Sequence, residues 1–265
     1  MDHKYFEKTD PELPEYKHWM SSDVDKMIDS MHPPWMTPGH EEYKTVYDLN
    51  NIGLRCDDFT TNPPDHHILF AGCEITIPQG VDVDKGWASI VYKTLEPNGK
   101  DFRNLAYPGA SPAKLVSNIF KYFDQYGNPD EIYALMPEMI RDIGAIRDLG
   151  VFKPKMYRQY LETEEDVPEH NLMAEPYDLP IHLLALKYLQ QMRYLEQYCY
   201  ATGIKLVWST WDYSTNKFLS NYKWRYFFEA ELPENEGDVW DGKAQPIFAK
   251  SFLNQIVYNS TDKGE

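Results

Sequence analysis

The sequence predicts an α/β fold, a three-layer sandwich in which a parallel sheet of about five strands is covered on both faces by helices. Three features predict it. Short apolar runs alternate with segments of helical period, the runs are punctuated by Pro and Gly, and 265 residues is a length that open α/β folds use as one unit. Such alternation implies right-handed crossovers, and the ligand sites of such sheets lie beyond the carboxyl ends of the strands.

The elements follow in order. Residues 1–64 read as an extension that wraps the domain, rich in Pro, His, Asp and aromatic side chains and broken at Pro33-Pro34 and Pro63-Pro64. Its one helical candidate is Ser22 to Met31, where Val24, Met27, Ile28 and Met31 fall at helical spacing. The domain proper, 65–265, begins with the apolar run from His67 to Gly72, bounded as a buried parallel strand should be. A helix over Val83 to Leu95, a strand over Phe102 to Ala106 and a helix over Pro112 to Tyr126 come next, the last with Pro at its first position. A third strand spans Glu131 to Met136. The polar stretch near 149–178, including the acidic run Glu162 to Asp166, reads as a solvated insertion. A long helix, Leu179 to Thr202, stops at Gly203, and a fourth strand, Ile204 to Ser209, follows directly. A second insertion near 210–242 precedes an amphipathic helix over Ala244 to Tyr258.

Composition narrows the partners. A formal net charge of −16 repels phosphate backbones and anionic lipid, so neither nucleic acid nor membrane is an expected partner. The three cysteines, Cys56, Cys73 and Cys199, are odd in number and far apart, which fits neither a disulfide framework nor a metal motif and suits a reducing compartment. The sequence has no export-signal pattern at its start and no apolar window of membrane-spanning length, so a soluble protein is expected.

At the end of the first strand the chain reads Phe70-Ala71-Gly72-Cys73-Glu74-Ile75-Thr76, followed by Gly80 and Trp87. Upstream stands Asn50-Asn51-Ile52-Gly53-Leu54-Arg55, and downstream Asn104-Leu105-Ala106-Tyr107-Pro108-Gly109-Ala110-Ser111 and then Pro129-Asp130. In this order the pieces resemble the SGNH (GDSL-type) hydrolases, whose first block puts a nucleophile at the tip of the first strand in a G-D-S or G-C-S turn. The resemblance covers about 50–134 well and the last strand and helix loosely, and it implies an SGNH-hydrolase-like, flavodoxin-like sandwich.

The resemblance also exposes what is altered. Glu74 stands where the family has its serine, and a carboxylate attacking an acyl carbon would only form a labile mixed anhydride. Asp241, in Asp238-Val239-Trp240-Asp241-Gly242, stands where the family has its histidine, and the last histidine of the chain is His182. No imidazole is thus available there as a proton acceptor. After Met136 no Asn serves as an oxyanion donor, and only Gly109 keeps a family oxyanion-hole position. Cys73, beside Glu74, reads as a packing thiol rather than a nucleophile.

In such a fold Glu74, Asp241 and Asp238 share one crevice, where like charges need a cation, a proton or an Arg, and Arg141 is the pairing candidate. Three readings stay open: a carboxylate site for Mg or Ca, an acid–base pair acting on a glycoside, and a salt-bridged crevice without chemistry. The last leads, with neither metal nor cofactor expected. It implies a catalytically inactive binding or assembly module with a protein partner, cytoplasmic or, since the lead-in and first block also look like those of bacteriophage proteins, virion-associated. The alternative is an esterase, acetylesterase or glycan-acting hydrolase with an atypical carboxylate site. The segment Tyr222-Lys223-Trp224-Arg225-Tyr226-Phe227-Phe228 is too aromatic for an idle loop; it either tucks into the domain or forms a contact patch, with Tyr222 and Trp224 as candidate binding residues.

Overall fold

The computed structural model describes residues 50, 54–57, 59, 66–78, 81–95, 100–106, 110–141, 181–233 and 242–261. The helix expected at Ser22 to Met31, the acidic run Glu162 to Asp166 and the positions Gly109, Asp238 and Asp241 lie outside these residues.

Four parallel strands form one sheet among the described residues: β1 (His67–Gly72), β2 (Asp101–Asn104), β3 (Glu131–Met136) and β4 (Lys205–Thr210), in the order β2-β1-β3-β4. The register pairs Phe70 with Asn104 and with Tyr133, and Tyr133 with Val207. β1 is central and buried at every position, which is why it reads as an unbroken apolar run rather than an alternating one.

The two faces follow from the period of two. Phe70 and Tyr133 point to one side, where Trp87 of α1 (Trp87–Leu95) stacks on Phe252 of α5 (Ala244–Thr261) with ring centroids 4.4 Å apart. Trp208 points to the other side, where α3 (Ile181–Thr202) lies beside α2 (Pro112–Tyr126) and Tyr198 stacks on Phe123 at 5.0 Å. Ser111 caps α2 by accepting from the Lys114 N–H, and Gly127 and Gly203 end α2 and α3 with positive φ, which glycine adopts at little steric cost.

Several element bounds differ from the sequence reading, each for a local reason. The expected helix from Val83 is a single 3-10 turn, Val83–Lys85, then an extended Gly86, then α1. A Cβ at Gly86 would come within 2.6 Å of Pro78, so the chain passes too close there for a continuous helix face. β2 ends at Asn104 because that side chain turns the chain off the sheet: its Oδ1 accepts from the Ala106 N–H and its Nδ2 donates to the Thr76 carbonyl. The insertion after β4 contains a short helix, α4 (Tyr213–Leu219), capped by Asp212, whose Oδ2 accepts from the Thr215 N–H at 2.7 Å. Four strands are seen where about five were expected.

β1 ends on the residue that allows the turn at the rim. A Cβ on Gly72 would stand 1.9 Å from Thr76 Oγ1 and 2.8 Å from the Leu135 carbonyl oxygen. Gly72→Ala is therefore expected to lower the urea-unfolding free energy by about 1–3 kcal/mol through overpacking. An unchanged midpoint would mean that the turn does not need this close approach.

Candidate functional site

The carboxyl ends of the strands carry the loop 73–78 after β1, residues 137–141 after β3 and residues 211–212 after β4. The first of these is held from three directions. Arg55, buried, donates through Nη1 to the carbonyls of Ile77, Pro78 and Val81 at 2.8–3.0 Å. Gln245, at the start of α5, accepts from the Trp87 N–H and donates to the Ile75 carbonyl. Trp87 in turn donates from Nε1 to Thr76 Oγ1. The lead-in around Arg55 is thus a clamp on the loop that carries Glu74.

Glu74 and Arg141 meet in this rim, both buried. Arg141 Nη1 donates to Glu74 Oε2 at 2.7 Å and Nη2 stands 2.5 Å from Oε1, a two-pronged pair. Arg141 Nε lies 2.7 Å from Glu138 Oε1, and the guanidinium carbon sits 5.2 Å from the centre of the Trp211 ring. One cation therefore joins all three rim loops. The Met139 N–H adds a tie by donating to Thr215 Oγ1 at the start of α4.

The electrostatics follow from burial. Two carboxyl groups share one guanidinium, and Glu138 Oε2 is buried with no hydrogen-bond partner among the described residues. Desolvation, with the neighbouring Glu74 charge, raises the Glu138 pKa against the pull of Arg141. Burial opposes the charge on Arg141 as well, but Glu138 and Glu74 outweigh it and hold the guanidinium cationic. Burial also pushes the Cys73 thiol well above its ordinary value, and the Glu74 charge adds to the shift, so thiolate is scarce at this position.

The rim hydroxyls are committed to structure. Thr76 Oγ1 accepts from Trp87, Ser209 Oγ from the Ala230 N–H, Thr210 Oγ1 from the Asp212 N–H and Thr215 Oγ1 from the Met139 N–H. The histidines whose side chains are described, His66 and His67, stand away from them. His66 and His67 lie at the opposite, amino end of β1, where Asp130 receives the His67 N–H and contacts His66 Nδ1. Among the described residues no three His, Cys, Asp or Glu gather as a metal site.

Of the positions singled out in the sequence, Cys73, Glu74 and Arg141 come together. Tyr222 and Trp224 belong to a second cluster, on the flank of α3. There Glu196, buried, accepts from Trp208 Nε1 at 3.0 Å, from the Tyr226 N–H at 2.9 Å and from the Arg225 N–H at 3.4 Å. The aromatic segment after α4 thus packs inward through Trp224, Phe227 and Phe228 while Tyr222 stays exposed. Glu138, Gln245, Arg55 and Glu196 were not singled out. Only the Glu138 to Arg141 spacing, one helical turn, was a readable signal.

No family model and no curated protein matches the chain. Solved structures do. A member of the lipolytic G-D-S-L family from Veillonella parvula matches at 18% identity over 71% of this chain and 97% of its own, with a TM-score of 0.33. The psychrotrophic esterase EstA from Pseudoalteromonas sp. matches at 13% over 72% and 73%, TM-score 0.32, and the acetyl xylan esterase AlAXEase at 15% over 71% and 73%, TM-score 0.32. Each is a likeness of fold, at under 20% identity.

The charge count at the rim yields a pair of opposite expectations. Arg141→Met leaves two buried carboxyl groups facing each other and should cost about 3–5 kcal/mol. Glu138→Gln keeps the shape and removes the excess charge. A carboxyl whose folded pKa is raised favours folding below its ordinary value and loses that advantage as pH rises through the folded value. Relative to wild type, Glu138→Gln should therefore gain stability as pH rises above about 4.5, read from urea midpoints over a range of pH. A constant difference across the range would show that Glu138 titrates normally.

Proposed function

We propose that this chain is a non-catalytic SGNH-like module that serves binding or assembly, its former hydrolytic rim used as a structural lock. The observation that carries the reading is the two-pronged, buried pair of Glu74 with Arg141. A nucleophile must reach substrate, whereas Glu74 is enclosed and both its oxygens face a guanidinium. Freeing it would leave the Arg141 charge buried, a cost of several kcal/mol before any chemistry begins.

Two neighbouring carboxyl groups are also what acid–base catalysis uses. Here both lie on one guanidinium, Glu74 through both oxygens and Glu138 through Oε1. That arrangement favours the lock over the carboxylate hydrolase. A virion-associated setting, suggested by the lead-in and first block, is one in which such a module serves, and cofractionation of the chain with particles tests it.

The direct test is turnover. Because enzymes accelerate their reactions by about a millionfold or more, even a poor hydrolytic site stands far above the blank. The full chain is expected to hydrolyse 4-nitrophenyl acetate and 4-nitrophenyl glycosides no faster than buffer, and a fluorophosphonate probe should leave it unlabelled. Robust turnover abolished by Glu74→Gln would overturn the proposal.

A further inference from the structure

Charge along this chain is segregated. Of its 42 acidic residues only Glu196 and Asp212 fall between residues 181 and 228, a stretch that holds Lys187, Arg193, Lys205, Lys217, Lys223 and Arg225. Both acids face inward: Glu196 accepts from Trp208 and two backbone N–H groups, and Asp212 caps α4. Several cations are paired, Lys205 of this stretch and Lys100 with Glu131, Arg103 with Asp101 and Lys250 with Glu231.

The cations beside Trp224 are different. Arg193 lies over the Trp224 ring at 4.0 Å, its Nη2 bonded to the Lys223 carbonyl, and its one carboxylate contact is the 3.5 Å approach to Glu196. Arg225 lies over Tyr200 at 3.7 Å and, with Lys223, has no carboxylate partner among the described residues. All three are exposed, with Tyr194, Tyr200 and Tyr222 exposed beside them. The platform is rigid, since Trp224 donates from Nε1 to the Leu219 carbonyl and meets Trp208 edge-on at 5.0 Å. Stacked guanidinium groups on fixed rings have given up most of their rotamer freedom before any partner arrives. Arg with Tyr and Trp is also the composition of binding hot spots.

We infer that the Arg193–Lys223–Arg225 face, backed by Trp224 and Tyr200, is a docking surface for the acidic surface of a second copy of this chain. The charge distribution favours that occupant: another copy offers the acids that this stretch lacks, and at contact range a local cationic face meets them although both copies carry a net charge of −16. Two such faces repel each other, so the contact is heterologous, patch to acidic surface, and builds a ring or a filament rather than a two-fold dimer. The inference extends the assembly reading by naming its contact surface, and because its test reads association and not turnover, the two fail separately.

The test is sedimentation velocity of the full chain over a concentration series. At about 0.05 M salt the chain should sediment as species heavier than one 31.1 kDa subunit, dissociating toward about 0.5 M salt as screening shortens the reach of the charges. The charge-reversed K223E/R225E protein should keep its circular dichroism and thermal midpoint and associate about tenfold or more weakly. The neutral K223Q/R225Q protein should fall between. A chain that is monomeric at low salt and about 100 µM, or whose association is indifferent to both double variants, overturns the inference. So does salt-sensitive binding of an RNA oligomer to a chain that stays monomeric, which would assign the face to nucleic acid.

Discussion

Everything at the carboxyl rim of the sheet is organised around the positive charge of Arg141. A guanidinium withdrawn from water is costly unless its charge is matched and its donors are used. Glu74 from the loop after β1, Glu138 from the loop after β3 and the ring of Trp211 after β4 together meet that demand. The same contacts that neutralise the cation fix the three loops to one another. Those loops close over an ion pair, which follows from placing a carboxylate at the tip of β1: a buried carboxylate needs a cation.

A second buried carboxylate in the same domain is satisfied by other means. Glu196 on α3 is met by an indole N–H and by backbone N–H groups of residues 225 and 226, with the nearest guanidinium 3.5 Å away and half-exposed. Donors of that kind spread the compensation over several dipoles and position the chain that supplies them. Glu196 thereby fixes the aromatic segment against β4, where Trp208 and Phe227 bridge, and leaves its arginines to face outward. The amino end of the sheet uses a third arrangement. Burial opposes ionisation of Glu131, but hydrogen bonds from Lys100, Lys205 and Tyr133 outweigh it and hold the carboxyl at about 2.

The sheet was legible because its strands are buried on both faces, so Ile68 to Gly72 and Ile132 to Met136 stand out as apolar runs of strand length between turn signals. Helix ends at Gly127 and Gly203 obey the same local rules. What was not legible depended on tertiary closeness. The break at Gly86 comes from Pro78 pressing on it, and the early end of β2 comes from Asn104 bonding across to Thr76. At the site, the partner of Glu74 could be named because a carboxylate in that position requires one and Arg141 lies just beyond the next strand. The roles of Arg55 and Gln245 could not. Each binds backbone carbonyls or N–H groups, which every sequence supplies, so no residue type elsewhere announces the partnership.

The two clusters divide the charge of the molecule in a way that bears on what each can do. At the rim, Arg141, Glu74 and Glu138 are all buried, so the attraction of the guanidinium is spent within the chain. On the flank of α3 the carboxylate is internal but the cations are not, and their attraction remains available to another surface. Burial decides which of the two clusters can act on a partner. A guanidinium stacked on an exposed ring gains little from its own fold, and in a chain with so many more acids than bases its field is conspicuous among its surroundings. The ion pair closed at the tip of β1 and the attraction left open beside Trp224 are thus consequences of one variable, the side of the protein surface on which the compensating charge was placed.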